Sequence, residues 1–244
     1  MPAVVVVRRS HAMNSYSAAA RGARKQAAGF TLIELAVALV VIALLLGTLL
    51  SPLTAQVQQS RISETQKILD QINDALIGFA ISQTPPRLPC PDTTGDGIED
   101  VCPNAFATQS TGGNLPWVTL GVPATDPWGQ RYQYRVNNQI GTSIPNNFQF
   151  NPSGAGLLRV CSVSACSAGT VVANNLPAVI LSRGPNGAAT PTSADELANT
   201  DNNGDFVGRT YSAVGSGLGE FDDIVTYISM PVLFSRLVSA QKLP

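Results

Sequence analysis

The feature that most constrains this chain is a long apolar run with one acid inside it. The run extends over 21 residues from Phe30 to Leu50 and is nearly all apolar apart from Glu34. A helix needs about 20 such residues to cross the hydrocarbon core of a bilayer. We therefore predict a membrane-spanning helix at residues 30–52, with the rest of the chain divided between the two sides of the membrane.

Basic residues are concentrated ahead of this run. Five of the 15 Lys and Arg residues precede Gly29 and all 16 acidic residues follow it, so the part from Phe30 onward has 15 − 5 = 10 basic residues and a net charge of 10 − 16 = −6. The positive-inside rule then predicts a cytoplasmic N-terminus and an exported part after Pro52. A cleaved secretory signal fits poorly, because its apolar core would be shorter and a small-residue cleavage site would follow it.

The apolar pattern changes beyond the run but does not stop. Leu69, Ile72, Leu76 and Phe79 recur at spacings of three and four residues. This spacing predicts one apolar stripe on an amphipathic helix over residues 53–83, continuous with the helix before it. Two consecutive prolines follow, and they predict the end of the helix because proline lacks an amide donor and restricts the residue before it.

Short strand-like runs separated by turns occupy residues 84–244. They predict an exported β-rich domain that closes with a short helix beginning after Ser229. A long helix packed on a small antiparallel sheet with long loops is an α+β fold. Residues 1–29 form a basic leader whose start codon could be Met1 or Met13. The predicted strands are Arg131–Val136, Asn147–Phe150, Leu157–Val160, Pro177–Ser182 and Asp223–Ser229.

The stretch around the acid resembles a known family. Gly29–Leu35 reads GFTLIEL and leads directly into the apolar run. This combination closely resembles the N-terminus of type IV pilins and type II secretion pseudopilins. The resemblance implies a pilin-like fold, cleavage by a prepilin peptidase between Gly29 and Phe30, methylation of the new N-terminus at Phe30, and Glu34 as the fifth residue of the mature chain.

The resemblance also implies partners and a location. The partners are other pilin or pseudopilin subunits, the prepilin peptidase, an inner-membrane assembly platform and membrane lipid. The location is a single pass through a bacterial inner membrane with a periplasmic globular domain, and a filament or the cell surface after assembly. Weaker likenesses to pilin-like proteins occur at residues 88–100, 125–136, 182–187 and 221–229. The chain has more loop than the major subunits of this family usually have, which favours a minor or accessory subunit. Secretion, pilus and DNA-uptake systems are all left open.

A carboxylate in lipid needs a counter-ion. A lone charge near the bilayer core costs roughly 2.5–3.5 kcal/mol on insertion scales, and the run contains no Lys or Arg that could pair with Glu34. The amine made by cleavage before Phe30 is a cation at the right depth, and a neighbouring copy shifted along a filament can bring its own amine to this Glu34. Such a pair sets register between helices more than it adds stability. The alternative is a simple anchor in which Glu34 snorkels to the interface or is protonated.

All four cysteines lie in the predicted exported part, where thiols can be oxidised. Nearest-neighbour pairing predicts two disulfides, Cys90–Cys102 and Cys161–Cys166, although four cysteines allow three connectivities. The alternative is a zinc ion held by four thiolates. Only Cys161 and Cys166 approach the close spacing that structural zinc sites use.

Two acidic loops are candidates for calcium binding, although no cofactor is required. In DTTGDGIED, the candidate oxygen ligands are Asp92, Thr94, Asp96 and Asp100. The first three are spaced two residues apart and Gly97 follows the third, as at the start of a calcium loop. The twelfth position is Pro103, where an EF-hand has a bidentate Glu, so the loop is not an EF-hand. The alternative is a solvated polar turn. The second, weaker candidate comprises Asp201, Asn203 and Asp205.

Neither catalysis nor nucleic-acid binding is predicted. The only histidine is His11, so the mature chain lacks Ser-His-Asp and Cys-His arrangements. Catalysis by a pair of carboxylates is left open, either at Glu99 and Asp100 or at Asp222 and Asp223. Adjacent residues on a strand point to opposite faces, so only one of Asp222 and Asp223 could face a cleft. We expect the two to form a hydrogen-bonding turn and the start of a strand instead. The acidic exported part offers no basic stripe for phosphates.

The sequence therefore predicts a pilin-like structural subunit that is not an enzyme. The alternative is a membrane-tethered periplasmic binding module, with or without calcium, that does not polymerise.

Overall fold

The computed structural model describes residues 29–101, 110–137 and 158–242. The leader before Gly29, Cys102 and the predicted strand Asn147–Phe150 lie outside these ranges. The chain divides into two compact units, Met1–Pro52 and Leu53–Pro244. In chain order the elements are α1 Leu32–Ser82, β1 Ser110–Asn114, α2 Trp117–Leu120, β2 Gln133–Asn137, β3 Leu158–Cys161, β4 Val171–Leu176, β5 Ala178–Ser182, α3 Ala194–Ala198, β6 Asp205–Val207, β7 Ile224–Ile228 and α4 Met230–Ser239.

The first helix follows the predicted bounds. α1 contains 51 residues and ends at Ser82, shortly before Pro85 and Pro86, as the two prolines predicted. In the described ranges, no helix meets the combined length and hydropathy that a bilayer crossing requires.

In the second unit, α1 buries one stripe. Leu69, Ile72 and Leu76 are all buried, as predicted. The next position on the stripe is Ala80 and not the predicted Phe79, because a step of four residues from Leu76 leads to Ala80. Phe79 is half-buried instead, and the guanidinium of Arg87 lies 5.2 Å from the centroid of its ring.

The larger sheet has four strands in the order β1-β2-β5-β7, and all of its pairs are antiparallel. The central strand β5 is buried along its whole length. Its Ile180 joins the cluster that includes the α1 stripe, and its Val179 joins a second cluster with Leu158 and Phe206. Burial on both faces accounts for the continuous apolar run of β5.

A smaller sheet of three strands, in the order β4-β3-β6, covers the second face. β3 is antiparallel to β4 and parallel to β6. The C-terminal helix α4 contributes Leu233 and Leu237 to the first cluster. The second unit is therefore an α+β domain, with α1 and the smaller sheet on opposite faces of the larger sheet.

Four predicted strands and the C-terminal helix are confirmed within one to three residues, as β2, β3, β5, β7 and α4. The first of them begins later than predicted, because Arg131 forms an isolated bridge with Thr125 instead of joining β2. The elements that the sequence patterns did not predict are α2, α3, β1, β4 and β6.

Candidate processing and assembly site

The helix that carries the acid begins with a threonine cap. The backbone N–H of Glu34 donates to the Thr31 hydroxyl at 3.3 Å, and the N–H of Leu35 donates to the Thr31 carbonyl at 3.1 Å. A hydroxyl that accepts from the third helical N–H satisfies one of the donors left free at a helix start. Gly29 and Phe30 therefore lie just outside the helix, and both are exposed.

Sequence reasoning missed Thr31, although the pattern that identifies it was present. Thr31 and Glu34 have the spacing of a capping box, in which a Ser or Thr is followed three residues later by Glu. Glu34 also lies in the first turn of α1, where the helix dipole favours a negative charge. Glu34 thus has a local role in starting the helix in addition to any role between subunits.

The glycine ahead of the helix has open surroundings. A Cβ added to Gly29 would meet no atom within 4 Å in the part of the chain that the structure describes. The fold of this unit does not itself require glycine at this position. Any requirement for glycine must come from a molecule that approaches the backbone from outside.

Apolar side chains are exposed all around the acid. Phe30 is 80% exposed and Leu32 is 88% exposed, and every residue from Phe30 to Leu45 is exposed in the isolated chain. Glu34 is exposed among them and forms no ion pair with another residue of the described ranges. A continuous apolar surface of this size is a site for covering by lipid or by other protein.

One predicted disulfide is present in the second unit. Cys161 at the end of β3 is bonded to Cys166, with their Cα atoms 5.4 Å apart. Neither sulfur is then a thiolate for the alternative four-cysteine zinc site. Cys90 is also disulfide-bonded, and its predicted partner Cys102 lies outside the described ranges.

In the first acidic loop, the carboxylates bind the loop's own donors. Asp92 is fully buried and accepts the N–H of Gly95 at 2.6 Å and the N–H of Gly97 at 2.9 Å. The Thr94 hydroxyl also donates to Asp92, at 3.2 Å. Gly97 is fixed by its surroundings, because it has a positive φ and a Cβ there would overlap the ring of Trp117.

The other two acids of this loop also close turns. Asp96 accepts the N–H of Ile98 at 2.9 Å. Asp100 accepts the hydroxyl and the N–H of Thr93, both at 2.6 Å. These hydrogen bonds lower the pKa of Asp100, because they stabilise the charged form.

The second acidic loop is built in the same way. The N–H of Asn203 donates to Asp201 at 3.0 Å, and the N–H of Asp205 donates to the Asn203 side chain at 2.6 Å. Asp205 also forms an ion pair with Arg159 at 2.6 Å. Among the described residues, no group of three or more His, Cys, Asp or Glu side chains could hold a metal ion. Calcium therefore stays a prediction for both loops.

The expectation that only one of Asp222 and Asp223 faces a cleft is wrong. Each is only 7% exposed, and both line the same groove. The alternation rule does not apply because both residues precede β7, which begins at Ile224. The N–H of Asp222 donates to the buried carboxylate of Glu196 at 3.1 Å, and the amide of Asn199 donates to Asp223 at 2.7 Å.

This crowding of buried acids changes their titration. Burial raises the pKa of Asp222 to about 7, and the neighbouring charge of Glu196 adds to the effect. Burial also raises the pKa of Asp223 to about 7, with further contributions from Glu196 and Asp222, against the hydrogen bond from Asn199. A buried carboxyl near other carboxylates favours its neutral form.

Comparison with known proteins identifies the N-terminal region. Residues 24–50 match the family model described as the prokaryotic N-terminal methylation motif. The chain is therefore a protein with a prepilin-type N-terminal methylation motif, as its sequence predicted, and the motif supports processing by a prepilin peptidase. The match supports an assignment of the chain to the type IV pilin and pseudopilin family. No curated protein and no solved structure matches the chain.

Proposed function

We propose that this chain is a pilin-like structural subunit that is cut after Gly29, methylated at Phe30 and assembled into a type IV pilus or a type II secretion pseudopilus. The observation that carries the proposal is the exposed apolar band of residues 30–45, inside which Glu34 forms no ion pair with any other residue that the structure describes. This band lies within the methylation motif. The work of the protein is then mechanical, and it is not an enzyme.

Processing is supported by the geometry around the cleavage position. Gly29 has open surroundings and Phe30 lies ahead of the first helical turn. A protease needs an extended backbone in its cleft, and a residue without Cβ lets it approach closely. After cleavage, Thr31 is the second residue, and its hydroxyl caps the helix directly behind the new amine.

Membrane insertion before assembly is proposed from the sequence. The apolar run Phe30–Leu50 has the length of a bilayer span, and the basic leader precedes it. The N-terminus would lie in the cytoplasm and the domain after Pro52 in the periplasm. An inner-membrane assembly platform would then take the subunit from the lipid into a filament.

Assembly gives the acid its counter-ion. A carboxylate inside the apolar band has no cation on its own helix within the run. The amine of Phe30 in a neighbouring copy would supply one and would fix the axial offset between the two helices. A pair of this kind specifies register, because a wrong offset leaves both charges unpaired in an apolar environment.

Substitution of the acid tests this proposal. In Glu34→Leu, the recovery of the chain in the sheared filament fraction should fall by about tenfold or more, because the cost of a misaligned amine at these depths exceeds 1.4 kcal/mol. Glu64→Leu is the matched control, since Glu64 is exposed on the second half of α1, and it should assemble normally. Glu34→Gln keeps a capping side chain but removes the charge, so it should behave like Glu34→Leu.

The second candidate is a membrane-tethered periplasmic binding module that does not polymerise. It is favoured by a groove of about 830 Å³ in the exported domain. A tether requires only an apolar helix and should tolerate Glu34→Leu. Normal localisation and normal binding in that variant, with no filament detected for the native chain, would favour the module.

A further inference from the structure

One edge of the larger sheet is open. β7 is the last strand in the order β1-β2-β5-β7 and pairs with β5 over all five of its residues. Within the ranges that the structure describes, no strand pairs with its other edge. An open edge presents a row of backbone N–H and C=O groups that can accept another strand.

A groove runs along this open edge. Its cavity volume is about 830 Å³. Ile62 of α1 lines it on one side of the sheet, and Val160 of β3 and Val172 of β4 line it on the other. Because the lining comes from both faces of the sheet, and includes Val225 and Tyr227 of β7, the groove lies at the edge of β7 and not over a face.

The elements on either side of the groove limit the kind of partner that can reach the edge of β7. An unprotected edge pairs readily with the edge of another sheet. Here α1 and the smaller sheet stand on either side of β7, as the lining residues Gln58, Ile62 and Val172 show. A recessed edge of this kind leaves room for a single extended segment but obstructs a second sheet. This favours an extended peptide over a second copy of the same domain.

One end of the groove is acidic. Asp222 and Asp223 line it where β7 begins. The Oδ1 atom of Asp222 is buried close to Gly184 and accepts no hydrogen bond in the described structure, while its Oδ2 atom accepts the N–H of Asn186 at 3.3 Å. Arg209 also lines the groove, but its charge is balanced by Asp195 at 2.7 Å and its guanidinium lies 4.5 Å from the Phe221 ring centroid. Glu196 and Arg183 are the further charged neighbours that Asp222 and Asp223 share. With Arg209 paired to Asp195, three carboxylates face one guanidinium, so this end of the groove has carboxylates in excess.

We infer that this groove binds an extended segment of a partner protein, which adds as a strand to the free edge of β7 and places a Lys or Arg side chain against Asp222 and Asp223. Backbone hydrogen bonds to the edge supply affinity, and pockets for alternate side chains supply specificity. The apolar side chains of the segment would face Val160, Val172 and Tyr227. A cation would pair with the carboxylates through charge-assisted hydrogen bonds. This inference does not require that the chain polymerises.

The test uses the full-length chain in detergent and a fluorescein-labelled probe peptide of sequence Thr-Val-Arg-Val-Thr-Val. Fluorescence anisotropy should show saturable binding, at least about tenfold tighter than for the peptide with Gln in place of Arg, as expected for loss of a buried charge pair. N-methylation of alternate backbone amides should abolish binding, because it removes the donors that a strand needs. Binding should weaken from pH 8 to pH 5.5, since protons compete with the cation for the two carboxylates.

Variants of the chain complete the test. Asp222→Asn should weaken binding of the Arg peptide at least about tenfold and leave the Gln peptide unchanged. Asp74→Asn, on an exposed position of α1, is the matched control. Thermal unfolding would verify that both variants are folded. Equal binding of the Arg and Gln peptides, binding that survives N-methylation, or no binding at all would overturn the inference. Dimers that dissociate in Asp222→Asn would also overturn it, because a second copy would then occupy the groove.

Discussion

The two halves of α1 differ in whether the rest of the chain buries their apolar side chains. Both are rich in apolar residues, yet Leu69, Ile72 and Leu76 are buried within the α+β domain while all residues from Phe30 to Leu45 are exposed. The second half confines its apolar residues to one stripe, which a single sheet can cover. The first half is apolar all around, and such a helix needs cover on every side.

The buried stripe and the exposed band of residues 30–45 indicate different roles for the two halves of α1. The stripe is satisfied within the chain and therefore concerns stability. The band of residues 30–45 is not satisfied within the described chain, and it carries the methylation motif. A helix that is incomplete alone and bears an acid at its start is suited to packing against copies of itself. The following experiments test this division of roles.

The largest effect should distinguish the two halves directly. Leu76→Ala removes a fully buried side chain from the main cluster and should lower the free energy of unfolding by about 2–5 kcal/mol. Leu39→Ala, in the exposed band, should change it by less than about 0.5 kcal/mol. Urea unfolding of the full-length chain, followed by tryptophan fluorescence, measures both. A similar loss in Leu39→Ala would show that the band is buried by the chain itself.

The disulfide should stabilise the α+β domain alone. Replacing Cys161 and Cys166 together by Ser opens the short loop after β3. The free energy of unfolding should fall by about 2 kcal/mol, as expected for a loop of this length. Filament incorporation at low temperature should stay near the native level, since the band of residues 30–45 is unchanged. A double variant as stable as the native chain would contradict the expectation.

The buried acids predict an inverted pH dependence. The pKa of Asp222 and that of Asp223 are raised to about 7, so these two carboxyls bind more protons in the folded than in the unfolded state between about pH 4 and pH 7. Stability is then greatest below the ordinary pKa of Asp and is lost as the pH rises through 7. We expect a melting temperature roughly 3–6 °C lower at pH 8 than at pH 5.5.

Asp222→Asn isolates this effect. It removes one of the carboxyls near Glu196, Glu220 and Arg183 that set the titration. The difference between pH 5.5 and pH 8 should shrink to about half, and the variant should be more stable than the native chain at pH 8. Differential scanning fluorimetry at both values measures this, with Asp74→Asn as the control. An unchanged difference in Asp222→Asn would refute the assignment.

Calcium should have the smallest effect. If the first acidic loop binds calcium, an ion at a few times its Kd stabilises the domain by about 1 kcal/mol, or roughly 2–4 °C in melting temperature. A chelator should remove that shift, and Asp96→Ala should abolish it, while Asp201→Ala tests the second loop in the same way. Equal melting temperatures with calcium and with chelator would end the prediction for both loops.

The predictable and the unpredictable parts of the fold differ in physical origin. α1, β2, β5 and β7 could be predicted because their apolar runs and periodicity are local. β1 contains two adjacent glycines and β6 has only three residues, so these strands exist because β2 and β3 offer hydrogen-bonding partners. Such strands leave no local pattern in the sequence.

The site shows the same distinction. The methylation motif that contains Gly29, Phe30 and Glu34 could be predicted because it is contiguous, and Thr31 could have been found from its capping spacing to Glu34. The cluster of Glu196 and Asp222 could not, because the two residues are far apart in the sequence and only the packing of α3 near the start of β7 joins them. The orientation of Asp223 was mispredicted because the strand starts one residue later than expected.

We propose that cleavage creates an amine at Phe30, and that this amine pairs with the Glu34 carboxylate of an adjacent subunit inside the apolar band of residues 30–45. Intact mass spectrometry of the chain purified from its native membranes tests this most directly. The account predicts a polypeptide that begins at Phe30 and carries one added methyl group on its amine. A native chain that still contains the basic residues ahead of Gly29 would contradict it, because the required cation at Phe30 would never form.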